Sequence, residues 1–272
     1  MNNFITRSIT GLLYVAVIVF SMVLGQWCFA GVMFAVAGVS LWEFFSIVSK
    51  KTNPIKIIGI ISGLFIYLII TLFVIDIISA KWLMLIIVPI VLLFISALYL
   101  RRENPISDLS ITLFGICYVV VPLALINQIM AFSISQDMNY VLPLGFFVIL
   151  WLNDSGAYLV GSKIGKNRLF VSVSPKKSWE GFVGGALFAV GSSVVLATNF
   201  VEMKLIFWVI YAVIIVIFAT FGDLVESLFK RDLGIKDSGS ILPGHGGMLD
   251  RFDGVFLSVP IVVFFLMLIN NL

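Results

Sequence analysis

Charge is scarce in this chain. Only 11% of its 272 residues are Asp, Glu, Lys or Arg, where a soluble domain carries about a quarter, so the chain cannot cover a water-facing surface. Cysteine is scarce too. Cys28 and Cys117 lie far apart in apolar segments without a C-x-x-C pattern, and buried free thiols are the expectation. There is one histidine, His245. Internal repeats, low-complexity tracts and soluble linkers are missing, which points to one domain rather than a string of modules. A signal-peptide cleavage site is missing as well: Ser21 to Phe29 has no small-x-small pattern, so the first apolar run is read as an uncleaved span.

Apolar residues fill the space that charge leaves. They make up 61% of the chain, and the mean hydropathy is +1.16. A spanning helix needs about 20 mostly apolar residues, and about nine segments qualify: 8–25, 28–48, 57–75, 82–100, 110–131, 140–153, 181–198, 205–222 and 254–270. Their runs are unbroken rather than alternating, which selects helices over a barrel. The expected fold is an all-α polytopic membrane protein, a single domain over 1–272. It has N-terminal spans in 1–152 and a chemistry-bearing half with cytoplasmic loops 153–180 and 222–253.

Loop charges set the expected orientation. Arg7, Lys50, Lys51, Lys56, Arg101, Arg102, Lys163, Lys166, Arg168, Lys176, Lys177, Lys230, Arg231, Lys236 and Arg251 fall on one side. The other side holds Lys81 and Lys204 against Asp76, Asp137 and Glu202. The positive-inside rule puts the N-terminus in the cytoplasm and the C-terminus outside.

Long ordered loops are uncommon without a function, and two links here are long, glycine-rich and charged. In the second, GDLVESLFKR continues the eighth span, placing Asp223, Ser227 and Lys230 at i, i+4 and i+7 on one helix face, with Glu226 one step round. The chain then runs through KDSGSILPGHGG to LDRFDG, where Asp250 and Asp253 stand at i and i+3. A carboxylate at a span end is ordinarily a solvated or capping group. Together, however, Asp223, Asp250 and Asp253 bracket a loop whose N–H groups suit an anion, beside Lys230, Arg231, Lys236 and Arg251. Two carboxylates within about 4 Å repel by about 4 kcal/mol at an effective dielectric of about 20, which a divalent cation offsets. Hard oxygen ligands with cations suit magnesium and a polyphosphate.

The run SLFKRDLGIKDSGSILPGHGGMLDRFD, Ser227 to Asp253, resembles the signature of the phosphatidate cytidylyltransferase family, the CDP-diacylglycerol synthases. The first link, NDSGAYLVGSKIGKNRLFVSVSPKKSWEG, resembles the same family's D-x-x-AY-x-x-G start and SPKK-T-x-EG end. It departs at Ser162, where arginine is common, and at Ser178, where threonine is common and the hydroxyl is kept. GSKIGK is no P-loop, since its spacing is wrong. Read from its residues, this link is either a basic loop attracting anionic head groups or a polyanion cradle of Asp154, Ser155, Lys163, Lys166, Ser174, Lys176 and Lys177. Glu43, in LWEFF of the second span, is a further acid within the membrane. It either partners the basic loop or snorkels to the interface.

The resemblance implies transfer of cytidylate from CTP to phosphatidic acid, giving CDP-diacylglycerol and pyrophosphate in phospholipid biosynthesis. It implies Mg2+, with a second metal left open. Asp223 and Asp250 are the implied metal ligands with Asp253 behind them. Lys230, Arg231, Lys236 and Arg251 hold phosphates, Ser227 and Asp237 contact substrate, and His245 contacts substrate or orients the loop. Membrane lipids surround such an enzyme, nucleic acid is no partner, and a homodimer stays open. The place is the inner membrane with the site facing the cytoplasm. A CTP-dependent lipid kinase shares substrate and location and remains an alternative. A transporter would place its charges at the midplane in broken helices, whereas these crowd one interface.

Overall fold

The computed structural model of the protein describes residues 3–133, 139–239, 241 and 246–270, with side chains from residue 8 onward. Its helices are α1 (Asn3–Val23), α2 (Gln26–Val48), α3 (Lys56–Val74), α4 (Ile87–Tyr99, entered through a 3₁₀ segment Ala80–Ile86), α5 (Pro105–Gly115), α6 (Val121–Ala131), α7 (Val141–Ile164), α8 (Trp179–Asn199), α9 (Leu205–Asp232) and α10 (Leu249–Asn270). Among the described residues eight helical stretches are long and apolar enough to cross a membrane, and Ser8–Val23 is a shorter apolar helix. The all-α polytopic membrane fold is therefore observed. It carries one addition, an antiparallel hairpin of β1 (Arg168–Phe170) and β2 (Ser174–Ser178) that pairs Phe170 with Ser174 and Arg168 with Ser178 around a bulge.

The chain divides into two compact units, one of Met1–Ala131 with Asp232–Phe252, the other of Phe132–Arg231 with Asp253–Leu272. In the first, α3 packs against α2, α4 and α6. Its apolar core includes Phe29, Leu41, Phe45, Val120 and Leu123. A buried polar chain crosses that core: Asn127 donates to the Tyr67 hydroxyl at 3.0 Å, which donates to the Ala30 carbonyl at 2.8 Å. In a membrane such groups must find partners within the protein. The helical stretch 105–131 widens into a π turn at Ile116–Val120. It ends just before Pro122, which lacks an N–H and crowds the carbonyl four residues back. Asp108 accepts from the Asn53 N–H at 2.8 Å and pairs with Arg102 at 3.3 Å. One of the cations behind the expected orientation is thus also a structural partner.

In the second unit α7 and α8 pack closely along a seam of small residues. A Cβ at Gly184 would lie 2.5 Å from Val160, and one at Gly185 would lie 2.6 Å from the Asn153 carbonyl. Small residues let helix backbones approach in this way. This packing corrects a boundary. The first link was expected to leave the helix at residue 153, yet α7 continues to Ile164. Asp154, Ser155 and Lys163 are therefore helical. The polar, glycine-bearing NDSG would not hold a helix by propensity alone; the face it presents to α8 does so. The helix expected to continue the eighth span through GDLVESLFKR is observed, since α9 runs to Asp232. The cysteine expectation is also corrected: Cys28 and Cys117 are free but exposed. In a membrane chain an apolar helix face can look outward, so an apolar setting in sequence does not imply a protein interior.

Candidate active site

Three helices of the second unit each bring one acid to the same region: α7 brings Asp154, α9 brings Asp223 and α10 brings Asp253. Asp253 is half-buried and feels the charges of Asp223, Asp154 and Lys177. Lys177, at the end of the hairpin, sets its ammonium 2.5 Å from the Asp223 carboxylate. On the other oxygen of Asp223, Ser227 donates its hydroxyl at 3.1 Å. The face expected from the i, i+4 spacing thus forms at Asp223 and Ser227, and the hairpin adds a cation to it. Among the described residues no group of three or more His, Cys, Asp or Glu side chains is gathered tightly enough to hold a metal ion.

Lys230, expected on that same face, turns elsewhere. Its ammonium lies 3.3 Å from Glu226, and the side chains are 12% and 1% exposed. Glu226, one step round the helix from Asp223, is thus the partner of Lys230, as their i, i+4 spacing allows. Arg231 donates through Nε to the Val173 carbonyl at 3.3 Å, which ties the end of α9 to the tip of the hairpin. Lys163, Lys166 and Lys176 are exposed and Ser174 is half-buried.

Much of the SPKKSWEG end is architecture. Ser178 caps α8, accepting the Gly181 N–H at 3.1 Å, as side-chain oxygens do at helix starts. Glu180 accepts the Lys166 N–H at 3.1 Å and the Asn167 side-chain amide at 2.8 Å. Trp179 donates its N–H to the Asn167 carbonyl at 2.9 Å. The cap, the carboxylate and the backbone bond close the base of the hairpin. They fix the position from which Lys177 reaches Asp223.

In the first unit the glycine-rich segment folds back on the start of α10. Oδ2 of Asp250 accepts the N–H of Ser238 at 3.0 Å and that of Gly247 at 2.9 Å. Glu43 is buried beside it, 3% exposed, and its Oε2 accepts the Leu249 N–H at 2.8 Å. Glu43 is therefore buried rather than snorkelling, and it sits against the second link. Lys236, Asp237 and Arg251 are exposed. His245 falls outside the described residues.

A family model described as the cytidylyltransferase family matches residues 5–269. The chain belongs to the cytidylyltransferase family. A phosphatidate cytidylyltransferase of Staphylococcus saprophyticus is 39% identical over 157 residues, covering 57% of this chain and 58% of the relative. Those of Staphylococcus haemolyticus and Staphylococcus aureus strain COL are 45% identical over 130 residues and 40% identical over 157. The aligned regions cover 47% and 57% of this chain. This chain spans about half to three fifths of the length of these curated relatives, 49% to 58%.

Proposed function

We propose that the protein is a phosphatidate cytidylyltransferase: an oxygen of the phosphatidate phosphate attacks the α-phosphorus of CTP, a new P–O–P bond forms, and the α–β bond breaks to release pyrophosphate. The observation that carries this reading is the meeting of Asp154, Asp223, Asp253 and Lys177 within a chain of the cytidylyltransferase family. Both substrates are polyanions, so binding them needs cations, and the hairpin supplies Lys176 and Lys177 while α7 supplies Lys163. An open apolar groove on the two helices that carry Asp223 and Asp253, lined by Phe218, Phe221, Val225, Leu257, Pro260 and Ile261, suits the acyl chains of a lipid substrate. The loop charges favour a cytoplasmic site at the inner membrane, where CTP and membrane phosphatidate meet.

The donor set suits magnesium in kind: carboxylates and a hydroxyl are hard oxygen ligands, and three acids exceed the one lysine among them. In the second unit Asp223 is assigned as a ligand, with Asp253 and Asp154 adding negative charge beside it; the assignment of Asp250 rests on the family signature. A bound Mg2+ would neutralise phosphate charge and polarise the phosphoryl group. The chain's own part is positioning: Ser227 orients the Asp223 carboxylate, and Lys177 exchanges that carboxylate for a substrate phosphate. Arg231 holds the hairpin in place. The phosphatidate oxygen is the nucleophile, so no covalent enzyme intermediate is required and configuration at phosphorus inverts.

The test is purified protein in detergent given phosphatidate and CTP labelled either in cytidine or in the γ-phosphate. Cytidine label in the lipid is expected. Label from the γ-phosphate would make it a lipid kinase, and neither label would remove the enzymatic reading.

A further inference from the structure

A carboxylate buried in a membrane-spanning helix is costly unless it is satisfied, and Glu43 is satisfied by the glycine-rich segment. Its Oε2 accepts the N–H of Leu249, the first residue of α10, at 2.8 Å, and the Ser238 hydroxyl lies at 3.5 Å. The N–H groups of a first helical turn have no intrahelical acceptor, and a carboxylate there also meets the positive end of the helix dipole. Glu43 therefore caps α10 from a residue 206 positions away in sequence.

The glycines beside it follow from the same contact. A Cβ at Gly239 would lie 2.5 Å from Oε1 of Glu43, and one at Gly247 would lie 2.5 Å from Oε2. The segment can close on the carboxylate only because both positions lack a side chain. Asp250 then holds the two limbs together, taking the N–H of Ser238 from one and of Gly247 from the other. Ser238 is shared: its hydroxyl faces Glu43 and its N–H faces Asp250.

We infer that Glu43 is a positioning residue, which acts through Ser238 and Leu249 to hold Ser238 and Gly239 against Gly247–Asp250 and so sets the carboxylate of Asp250. The role for Asp250 in turnover rests on the proposed cytidylyl transfer; the ordering of the segment does not.

The experiment separates the two. A nitroxide on a cysteine replacing Ile241, in a chain with Cys28 and Cys117 replaced by alanine, reports the segment's mobility in the purified full-length protein. A second label at Leu98, an exposed residue of α4, reports the integrity of the fold. Glu43→Ala is expected to raise mobility at 241 and leave 98 unchanged. Glu43→Gln, which keeps one acceptor oxygen, is expected to fall between wild type and Glu43→Ala. Gly239→Ala is expected to mobilise the segment in the wild-type background and to add nothing to Glu43→Ala, since the atom its methyl meets is then gone. In the transfer assay Glu43→Ala should lower kcat by about a hundredfold, the scale of a displaced group, while the KM for CTP changes little. Unchanged mobility at 241 in both Glu43 variants would overturn the inference whatever the activity. Additive effects of Gly239→Ala and Glu43→Ala would also overturn it. Raised mobility in a protein that transfers no cytidylate would uphold the inference and sink the proposed function instead.

Discussion

Lys177 and Asp223 form an ion pair at 2.5 Å between the end of β2 and the middle of α9. This contact is the means by which the SPKK segment and the GDLVES segment, 46 positions apart in sequence by their residue numbers, come to share a site. Lys177 also acts on Asp253, whose charge is opposed by those of Asp223 and Asp154. It is the counter-ion of an acid cluster, in the role that a divalent cation would take over.

Lys177→Ala is therefore expected to lower the thermal stability of the purified protein in chelator. Added Mg2+ should recover more of that loss than it adds to wild type. Thermal unfolding in detergent with and without magnesium reads this directly. Equal magnesium effects on both proteins would contradict the placing of a cation among these acids.

The Glu226–Lys230 pair tests stability in a different way. Removing one partner of a buried ion pair leaves the other charge uncompensated and costs about 3–5 kcal/mol, whereas replacing both by apolar groups is often neutral. Glu226→Ala should be strongly destabilised and the double variant Glu226→Leu, Lys230→Met much less so, as measured by denaturation in mixed micelles. If the double variant retains turnover, Lys230 holds no phosphate.

Ser178 offers a third test, because its hydroxyl caps α8 and Lys177 stands immediately before it in the chain. Ser178→Ala should cost about 1 kcal/mol, the usual worth of such a cap, and weaken turnover by loosening the hairpin. Ser178→Thr should restore both. A stable but inactive Ser178→Ala protein would give the hydroxyl a direct role in binding substrate.

Orientation is the fourth. Because Cys28 and Cys117 are exposed, both must be replaced before single cysteines are introduced at residues 163–177 and 232–239. Membrane-impermeant reagent should label these from the cytoplasmic side alone. Labelling from outside would invert the topology and part the site from CTP.

The apolar runs made the spans legible, since a membrane helix carries its signal in consecutive residues. The pairing of Ser227 with Asp223 was legible for the same reason, being one turn along one helix. What escaped was whatever depends on a second element. The NDSG segment is helical because α8 packs against it, and no local signal shows that. The hairpin at 168–178 is short, and its base is closed by Glu180 from the following helix. Lys230 sits where helical spacing puts it but turns to Glu226, because a buried acid competes for it. Glu43 could be seen as an acid in a span, but its partners at Ser238 and Leu249 are almost two hundred residues or more along the chain.

The most direct measurement compares wild type with Asp223→Asn and Asp250→Asn for magnesium-dependent transfer of labelled cytidylate to phosphatidate, at equal amounts of folded, membrane-inserted protein. An amide keeps the shape of the carboxylate but not its charge, so each variant should lose transfer by about a thousandfold or more, the scale of a lost electrostatic group at a reacting centre. Near-wild-type transfer by Asp223→Asn at moderate magnesium would contradict the assignment of the acid cluster as the site of reaction.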